Sequence, residues 1–358
     1  MNTGRLIPLI RQVRAPDASR ERAARARLDA LAKPPGSLGV LEDLAVRLAG
    51  IAGFPPVPPH CPCVLVFGAD HGVAVRGVSA YPSEVTGHVL RAVAEGTAAV
   101  SVMARAVGAE VVAIDMGTHF PIEADGVLSV RIAAGSSDLS TGPALTEDQA
   151  HRAIEAGFEI AARYAGRNDV IGLGEVGIGN TTVAAALAVT LAGVPVRCAV
   201  GRGTGVSDGA LARKRAIVAA ATRRVAAADP ISALREVGGL EVAGLAGAAL
   251  GAAAMGRPVV LDGYISSVAG LVAARLEPAV GAYLFASHRS LEPGHSDILD
   301  ALGLHPALDL AMRLGEGTGA VLAFPILRAA AAVLGEMGTL EAVLAATPSH
   351  PVRGVQQG

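Results

Sequence analysis

Six times along the chain an apolar, β-type run stops at a cluster of small or polar residues, and a helix-like segment follows. The runs are CVLVFGADHG (63–72), EVVAIDMGT (110–118), DVIGLGEVGIGN (169–180), VPVRCAVGRGTG (194–205), PVVLDGYISS (258–267) and VGAYLFASHRS (280–290). They lack hydrophobic/polar alternation, as strands buried on both faces do. The segments between them, such as NTTVAAALAVTLAG and LEVAGLAGAALGAAAMG, are Ala-rich and helical in pattern. This repetition implies an α/β fold in which helices cover both faces of a parallel sheet. Small side chains let helices lie close to such a sheet, which fits 44 Gly and 3% aromatic residues.

The two ends break the pattern. Residues 1–57 read as helical, with SRERAARARLDALA and, after the KPPG break at 33–36, SLGVLEDLAVRLAGI; prolines 55, 56, 58 and 59 then form a stiff linker. Residues 296–346 read as helical again, interrupted by LGEGTG (314–319), and the last dozen residues are expected to fray. The expected division is a large α/β domain over 58–295 and a small discontinuous helical domain over 1–57 and 296–358, which would contribute Glu316.

Thirty Lys and Arg against 32 Asp and Glu, with no basic run, argue against nucleic acid as a main partner. The mean hydropathy of +0.47 comes from Ala, Val and Gly. The longest apolar runs, Val183 to Val196 and Val242 to Gly256, fall short of the roughly 18 residues of a membrane span and are expected to be buried helices. The N-terminal MNTGRLIPLIRQVRAPDASRER lacks the long apolar stretch of a signal peptide. Cys61, Cys63 and Cys198 give no disulfide framework and are expected as small buried hydrophobes. A cytoplasmic protein is the expectation. The nine histidines show no metal-ligand spacing, so no metal is expected.

Ligands of open parallel sheets sit at the carboxyl ends of the strands. The pattern places Asp70, His71, Asp115, Glu175, Asn180, Arg202, Asp208, Asp262 and Ser287 to Ser290 at that rim. GLGEVG (172–177) fits G-x-G-x-x-G and would suggest a nicotinamide-dinucleotide-dependent oxidoreductase. Against this, Glu175 puts a carboxylate among donors meant for a pyrophosphate, and no ribose-binding acid follows the next expected strand, so hydride transfer is the alternative reading. GRGTGVSDG (201–209) is a second glycine-rich loop, with Ser207 or Asp208 able to cap a helix and Lys214 two turns in, either a phosphate charge or an exposed lysine. Glu316 stands in a glycine-flanked break, either exposed or aimed into an apolar cleft where burial would raise its pKa toward that of a general base.

Together KPPGSLG (33–39), FGADHGV (67–73), GVSAYPSEVT (77–86), GEVGIGNTT (174–182), GRGTGVSD (201–208), LDGYISS (261–267), SHRSLEPGH (287–295) and LGEGTGA (314–320) resemble the nicotinate-nucleotide:dimethylbenzimidazole phosphoribosyltransferases, over roughly residues 30–345. The resemblance implies a Rossmann-like sheet with a small helical domain built from both chain ends, in a homodimer whose partner helps close each site. It implies transfer of phosphoribose from nicotinate mononucleotide to a benzimidazole-type base, with inversion at C1′ and no metal or organic cofactor. By the same resemblance Glu316 is the catalytic base. Glu175, Gly177 and Asn180 meet the ribosyl phosphate and departing nicotinate; Gly203, Lys214 and Ser290 contact phosphate; Asp262 is a ribose or structural contact. The base pocket falls on Ser79, Tyr81, Pro82, Ser83, Thr86 and His88, with Leu173 and Leu314 as apolar walls. The chain departs from the family pattern at Ser83 and His88, where glutamine is common, which bears on the accepted base.

Overall fold

The computed structural model describes residues 3–225 and 229–346; the last dozen residues, expected to fray, lie outside that range. The chain forms two units: Met1–Pro16 with Pro59–Ile326, and Asp17–Pro58 with Leu327–Gly358.

The larger unit is built on six strands: β1 (Pro62–Ala69), β2 (Glu110–Gly117), β3 (Val127–Ser129), β4 (Val170–Val176), β5 (Val259–Leu261) and β6 (Leu284–Ala286). Their order is β3-β2-β1-β4-β5-β6, with every neighbouring pair parallel. Leu65 of β1 lies between Val112 of β2 and Leu173 of β4. All of β1 and β4 is buried, which is why their sequences run apolar without alternation. The chain adds strands outward from β1 in one direction, then outward from β4 in the other. This reversal opens a crevice beyond the carboxyl ends of β1 and β4, where doubly wound folds bind ligands.

Five of the six expected runs contain a strand. The exception is VPVRCAVGRGTG, whose Val196–Ala199 forms one helical turn after Pro195, with Arg197 exposed. Arg197 has no place in a strand covered on both faces, and the segment joins no sheet. The sixth strand is β3, three residues at the sheet edge with Val127 and Leu128 half-buried and Ser129 exposed, too short to leave a periodic signal.

The two long apolar runs form the buried helices Asn180–Ala192 and Leu240–Ala254. Helix Leu240–Ala254 packs on Glu147–Ala165 at backbone distance. A Cβ on Gly157 would strike the Gly244 carbonyl, one on Gly247 the Ile154 carbonyl, and one on Gly251 the Phe158 carbonyl. This contact explains why the segment is written in Gly and Ala. The N-terminal helix Thr3–Ile10 belongs to this unit too, through the Arg5–Glu159 ion pair, and the Tyr283 hydroxyl donates to the Arg14 carbonyl (2.8 Å).

The smaller unit contains helices Ala18–Ala30, Val40–Ala52 and Leu340–Ala346. Asp17 caps the first, and Lys33 Nζ meets Glu42 Oε1 at 2.8 Å in a buried ion pair. Arg27 donates to the carbonyls of Leu334, Gly335 and Met337.

The division therefore differs from the expected one. Residues before Asp17 and the stretch from 296 to Ile326, with Glu316, fall in the larger unit. The later boundary lies inside helix Thr318–Glu336, next to Pro325, where helical periodicity gives no break to read. That helix also has the length and composition of a membrane span, and 56% of its apolar window is buried within the protein. Of the three unpaired cysteines only Cys63 is buried; Cys61 is exposed and Cys198 half-buried.

Replacing Gly247 by Ala should force the two central helices apart. Overpacking of this kind costs about 1–3 kcal/mol, so thermal or urea unfolding should show a clear loss of stability. A Tm equal to wild type would refute the close approach.

Candidate active site

A cavity of about 610 Å3 lies beyond the carboxyl ends of β4, β5 and β6. Its wall comes from the turns that follow those strands (Gly177 to Thr181, Gly263 to Ile265, and His288, Ser290 and Glu292), from Gly203 and Thr204, and from Arg313 to Glu316.

Glu316 reaches the cavity on a turn that few sequences could make. Gly315 and Gly317 have φ of 91° each, and Glu316 itself sits at 63°, the left-handed region that side chains avoid. The turn lies against β4. The Glu316 amide donates to the Glu175 carbonyl (3.1 Å), and a Cβ on Gly174 would stand 2.5 Å from the Glu316 carbonyl. Gly174 is thus the residue that lets the turn rest on the strand. Glu316 is half-buried, with Oε2 buried and unpartnered; burial raises its pKa, opposed by the Val100 backbone amide.

Glu175, near the end of β4, is buried and accepts a hydrogen bond from Asn180 Nδ2. Burial, then the Asp262 and Glu241 carboxylates, push its pKa well above the usual range, and the Asn180 hydrogen bond opposes them. A protonated Glu175 is a hydrogen-bond donor at the cavity wall.

Asn180 is the first residue of helix Asn180–Ala192, whose N-terminus favours an anion. The expected residues Ser79, Tyr81, Gly177, Gly203, Ser290 and Leu314 line the same cavity. The Ser290 amide donates to His295 Nδ1 (2.9 Å), and His295 Nε2 faces Ser267 Oγ (3.0 Å). Burial holds the His295 pKa down to about 3, so the ring is a neutral brace for the Ser290 turn.

Other expected residues stand elsewhere. Lys214 is wholly buried beneath the glycine-rich loop, with Nζ donating to Thr181 Oγ1 (2.7 Å) and the Gly201 carbonyl (3.2 Å). Burial lowers its pKa to about 8. It braces the loop from behind rather than lining the cavity, with two of its three N–H donors taken by Thr181 and the Gly201 carbonyl. Ser207, not Asp208, caps the following helix; Asp208 pairs with Arg202. Thr86 is buried, its Oγ1 accepting from the Ile178 amide (3.1 Å) and tying helix Val85–Ala94 to the cavity turn. Leu173 is enclosed within β4. Pro82 and Ser83 are outside the lining, and His88 is exposed on the other face of its helix, beside a second cavity of about 230 Å3 with Asp70, Glu84 and Arg91. One helical face can carry Val89 inward while His88 points away. Asp262 is buried and does not line the cavity; its carboxylate is engaged by backbone amides of the Glu316 turn.

The GLGEVG segment is not a nucleotide-binding turn: Gly172 and Gly174 lie inside β4, which runs to Val176. Gly172 is needed because Phe324, Ala320 and Val64 close on it.

Sequence reasoning missed Arg313 and Glu241, and placed His288 and His71 at the rim without a role. Arg313 lines the cavity and donates to the Gly203 carbonyl (3.1 Å). His288 lines it with Nε2 buried and unpartnered, and burial keeps the ring neutral by lowering its pKa. His71 Nε2 stands 2.9 Å from Glu241 Oε1, both side chains sealed from solvent, directly beneath Gly177. Burial pulls the His71 pKa down, but the Glu241 carboxylate more than offsets this and the net shift is upward. Pairing across 170 residues leaves no local spacing to detect. Among the described residues, no cluster of three or more His, Cys, Asp or Glu is placed to hold a metal ion.

A family model described as phosphoribosyltransferase (DBI_PRT) matches residues 13–343. The chain belongs to this family. It is 45% identical over 339 residues, 93% of this chain and 97% of the relative, to the nicotinate-nucleotide–dimethylbenzimidazole phosphoribosyltransferase of Desulforamulus reducens. The Pseudomonas aeruginosa PAO1 protein of the same name is 46% identical over 342 residues, 94% of this chain and 97% of that one. Among solved structures, CobT from Thermus thermophilus superposes with a TM-score of 0.87 at 43% identity, covering 90% of this chain and 98% of that one. Family membership leaves the oxidoreductase alternative without support.

Because the folded protein raises the Glu175 pKa, the native state holds a proton there that the unfolded chain has lost. Stability therefore falls as pH rises from the unfolded pKa toward the folded one. Glu175→Gln removes that penalty while keeping the acceptor for Asn180. The Tm of the variant relative to wild type should rise between pH 5 and pH 8; a pH-independent difference would show that Glu175 is an ordinary carboxylate.

Proposed function

We propose that this chain transfers the 5-phosphoribosyl group from nicotinate mononucleotide to 5,6-dimethylbenzimidazole or a related base. The products are α-ribazole 5′-phosphate and nicotinate. A ring nitrogen of the base attacks C1′ from the face opposite nicotinate, the C1′–N bond to nicotinate breaks with its electron pair, and the configuration inverts. The other ring N–H loses its proton to Glu316. The observation that carries this reading is the Glu316 carboxylate at the cavity wall, half-buried, with one oxygen lacking any partner. A carboxylate at such a place, its pKa raised by burial, is suited to accept a proton from a neutral heterocycle.

The rest of the wall supports the same reading. The nucleotide phosphate fits the start of helix Asn180–Ala192 and the Gly203–Thr204 loop, with Arg313 adjacent. Glu175 in its protonated form donates toward the nicotinate carboxylate as it leaves. Ser79, Tyr81, Val89, Ile178 and Leu314 offer a mixed apolar surface for a flat base. With His88 and Ser83 outside that lining, the departure from glutamine at these positions acts on the base only at a distance.

In this reading the enzyme is cytoplasmic, where phosphorylated nucleotides are retained, and works as a homodimer. Leu291 and Leu310, 57% and 55% exposed, sit on segments joined by the Leu291 amide to the Met312 carbonyl (3.1 Å). Leu314, 59% exposed at the cavity wall, follows on the same segment as Leu310, and exposed apolar side chains of this kind suit contact with a second copy. Sedimentation should give a dimer mass, and a monomer at micromolar concentration would remove this part of the reading.

Glu316→Gln should lower kcat by about 10²–10⁴-fold, the usual range for loss of a general base, with substrate affinity little changed. Chromatographic analysis with nicotinate mononucleotide and a panel of bases reads the reaction and the acceptor together. Absence of α-ribazole phosphate from every benzimidazole would refute the transfer, and near wild-type turnover by the variant would refute the role of Glu316.

A further inference from the structure

Asp262 follows β5, is 2% exposed, and stands behind the cavity wall rather than on it. Its Oδ2 accepts from the Gly317 amide (2.9 Å) and its Oδ1 from the Gly319 amide (2.6 Å). One carboxylate thus clamps the two amides on either side of Thr318, immediately after Glu316. The clamp is itself anchored, since Ser287 Oγ donates to the Asp262 carbonyl (2.6 Å).

What the clamp holds is a conformation the chain would otherwise leave. Three successive residues, Gly315, Glu316 and Gly317, have φ of 91°, 63° and 91°. The middle one carries a side chain in a region that L-residues populate rarely, and such strain persists only where surrounding contacts over-determine it. On the upstream side there is one such contact, the Glu316 amide on the Glu175 carbonyl. On the downstream side the Thr318 amide and hydroxyl both donate to the Gly315 carbonyl (3.1 and 2.8 Å), and Asp262 holds the Gly317 and Gly319 amides that follow Glu316.

We infer that Asp262 is a positioning residue for Glu316: its carboxylate fixes the left-handed turn and thereby the direction of the Glu316 carboxyl, and it makes no contact with substrate. This rests on the reading of Glu316 as proton acceptor. Asparagine has nearly the same shape but can offer an acceptor to only one of the two amides; its NH2 group opposes the other. The turn then loses one hydrogen bond and gains a donor–donor conflict without a change in volume.

The test is a kinetic cycle with Asp262→Asn, Glu316→Gln and the double variant, using nicotinate mononucleotide and dimethylbenzimidazole. Asp262→Asn should lower kcat by about 10²-fold, the scale of a misplaced catalytic group, and leave the KM for nicotinate mononucleotide within about threefold. The double variant should turn over at the rate of Glu316→Gln within about twofold, because residues acting through one another are not additive. Multiplied losses in the double variant, or an effect mainly on KM, would mean that Asp262 meets substrate or acts independently of Glu316, and the inference would fall. Amide hydrogen exchange supplies a readout independent of activity. In wild type the Gly317 and Gly319 amides should be protected, and in Asp262→Asn they should exchange at least about tenfold faster. Unprotected amides in the wild-type protein would overturn the clamp even if the variant failed to fold. If wild type carried out no transfer, the functional reading would fail while exchange still decided the clamp.

Discussion

The Glu316 peptide lies on Gly174 of β4, its amide bonded to the Glu175 carbonyl, and the geometry of the rim follows from that contact. A side chain at 174 would displace the peptide, and without the peptide's hydrogen bond the turn would have no register on the sheet. Because the contact is made, Glu316 and Glu175 present their carboxyl groups into one cavity from different elements. The apposition also explains the glycines beside Glu316. A Cβ at Gly315 would overlap the Glu175 carboxyl, and one at Gly317 would press on Val64. The motif L-G-E-G is thus a steric solution to placing a charged residue directly over a buried strand.

That closeness has an electrostatic consequence. Glu175, Asp262, Glu241 and Glu316 influence one another in a region with little water, where several like charges cannot all be carried at once. The fold separates them by environment. Glu241 has the His71 imidazole against it, Asp262 has backbone amides, Glu175 has Asn180, and Glu316 has partial access to solvent. Burial still pushes Asp262 up to about 7 despite its amide donors, and it pushes Glu175 further. The fully buried Glu175 is thus the member driven furthest toward its protonated form, and Glu316, with partial access to solvent, is better placed to ionise. Paired titratable groups whose environments push them apart are what acid–base chemistry on a neutral heterocycle requires.

Much of this was legible in the sequence, and the rest was not for identifiable reasons. Uninterrupted apolar runs marked β1, β2 and β4 because strands buried on both faces need no polar residues. The same logic misread VPVRCAV, where Pro195 and Arg197 were the signals that it could not be a buried strand. Glycine turns located the rim and Glu316, since only glycine supplies the flanking conformations. Direction was invisible: Lys214 looked like a phosphate charge but lies buried under the loop, bonded to Thr181 and the Gly201 carbonyl, and His88 looked like a pocket residue but lies on the outer face of its helix. Long-range partners such as His71 with Glu241 have no sequence spacing at all, and the domain boundary inside Thr318–Glu336 is hidden because a continuous helix serves both units.

The scarcity of large side chains and the character of the site have one origin. Gly and Ala allow helix Leu240–Ala254 to touch Glu147–Ala165 backbone to backbone, and the same residues at the rim bring main-chain N–H groups within reach of a ligand. Gly177, Gly179, Gly203, Gly263 and Gly315 all line the cavity, where a larger residue would fill it or hide its amides. In the proposed reaction, anion recognition falls to backbone dipoles and a helix start, with Arg313 fastened to the Gly203 carbonyl and Lys214 sealed beneath the loop. Preorganised dipoles of this kind bind a phosphate without having to gather flexible side chains around it. The carboxyl groups of Glu175 and Glu316 stand on the same wall, with Lys214 outside the lining.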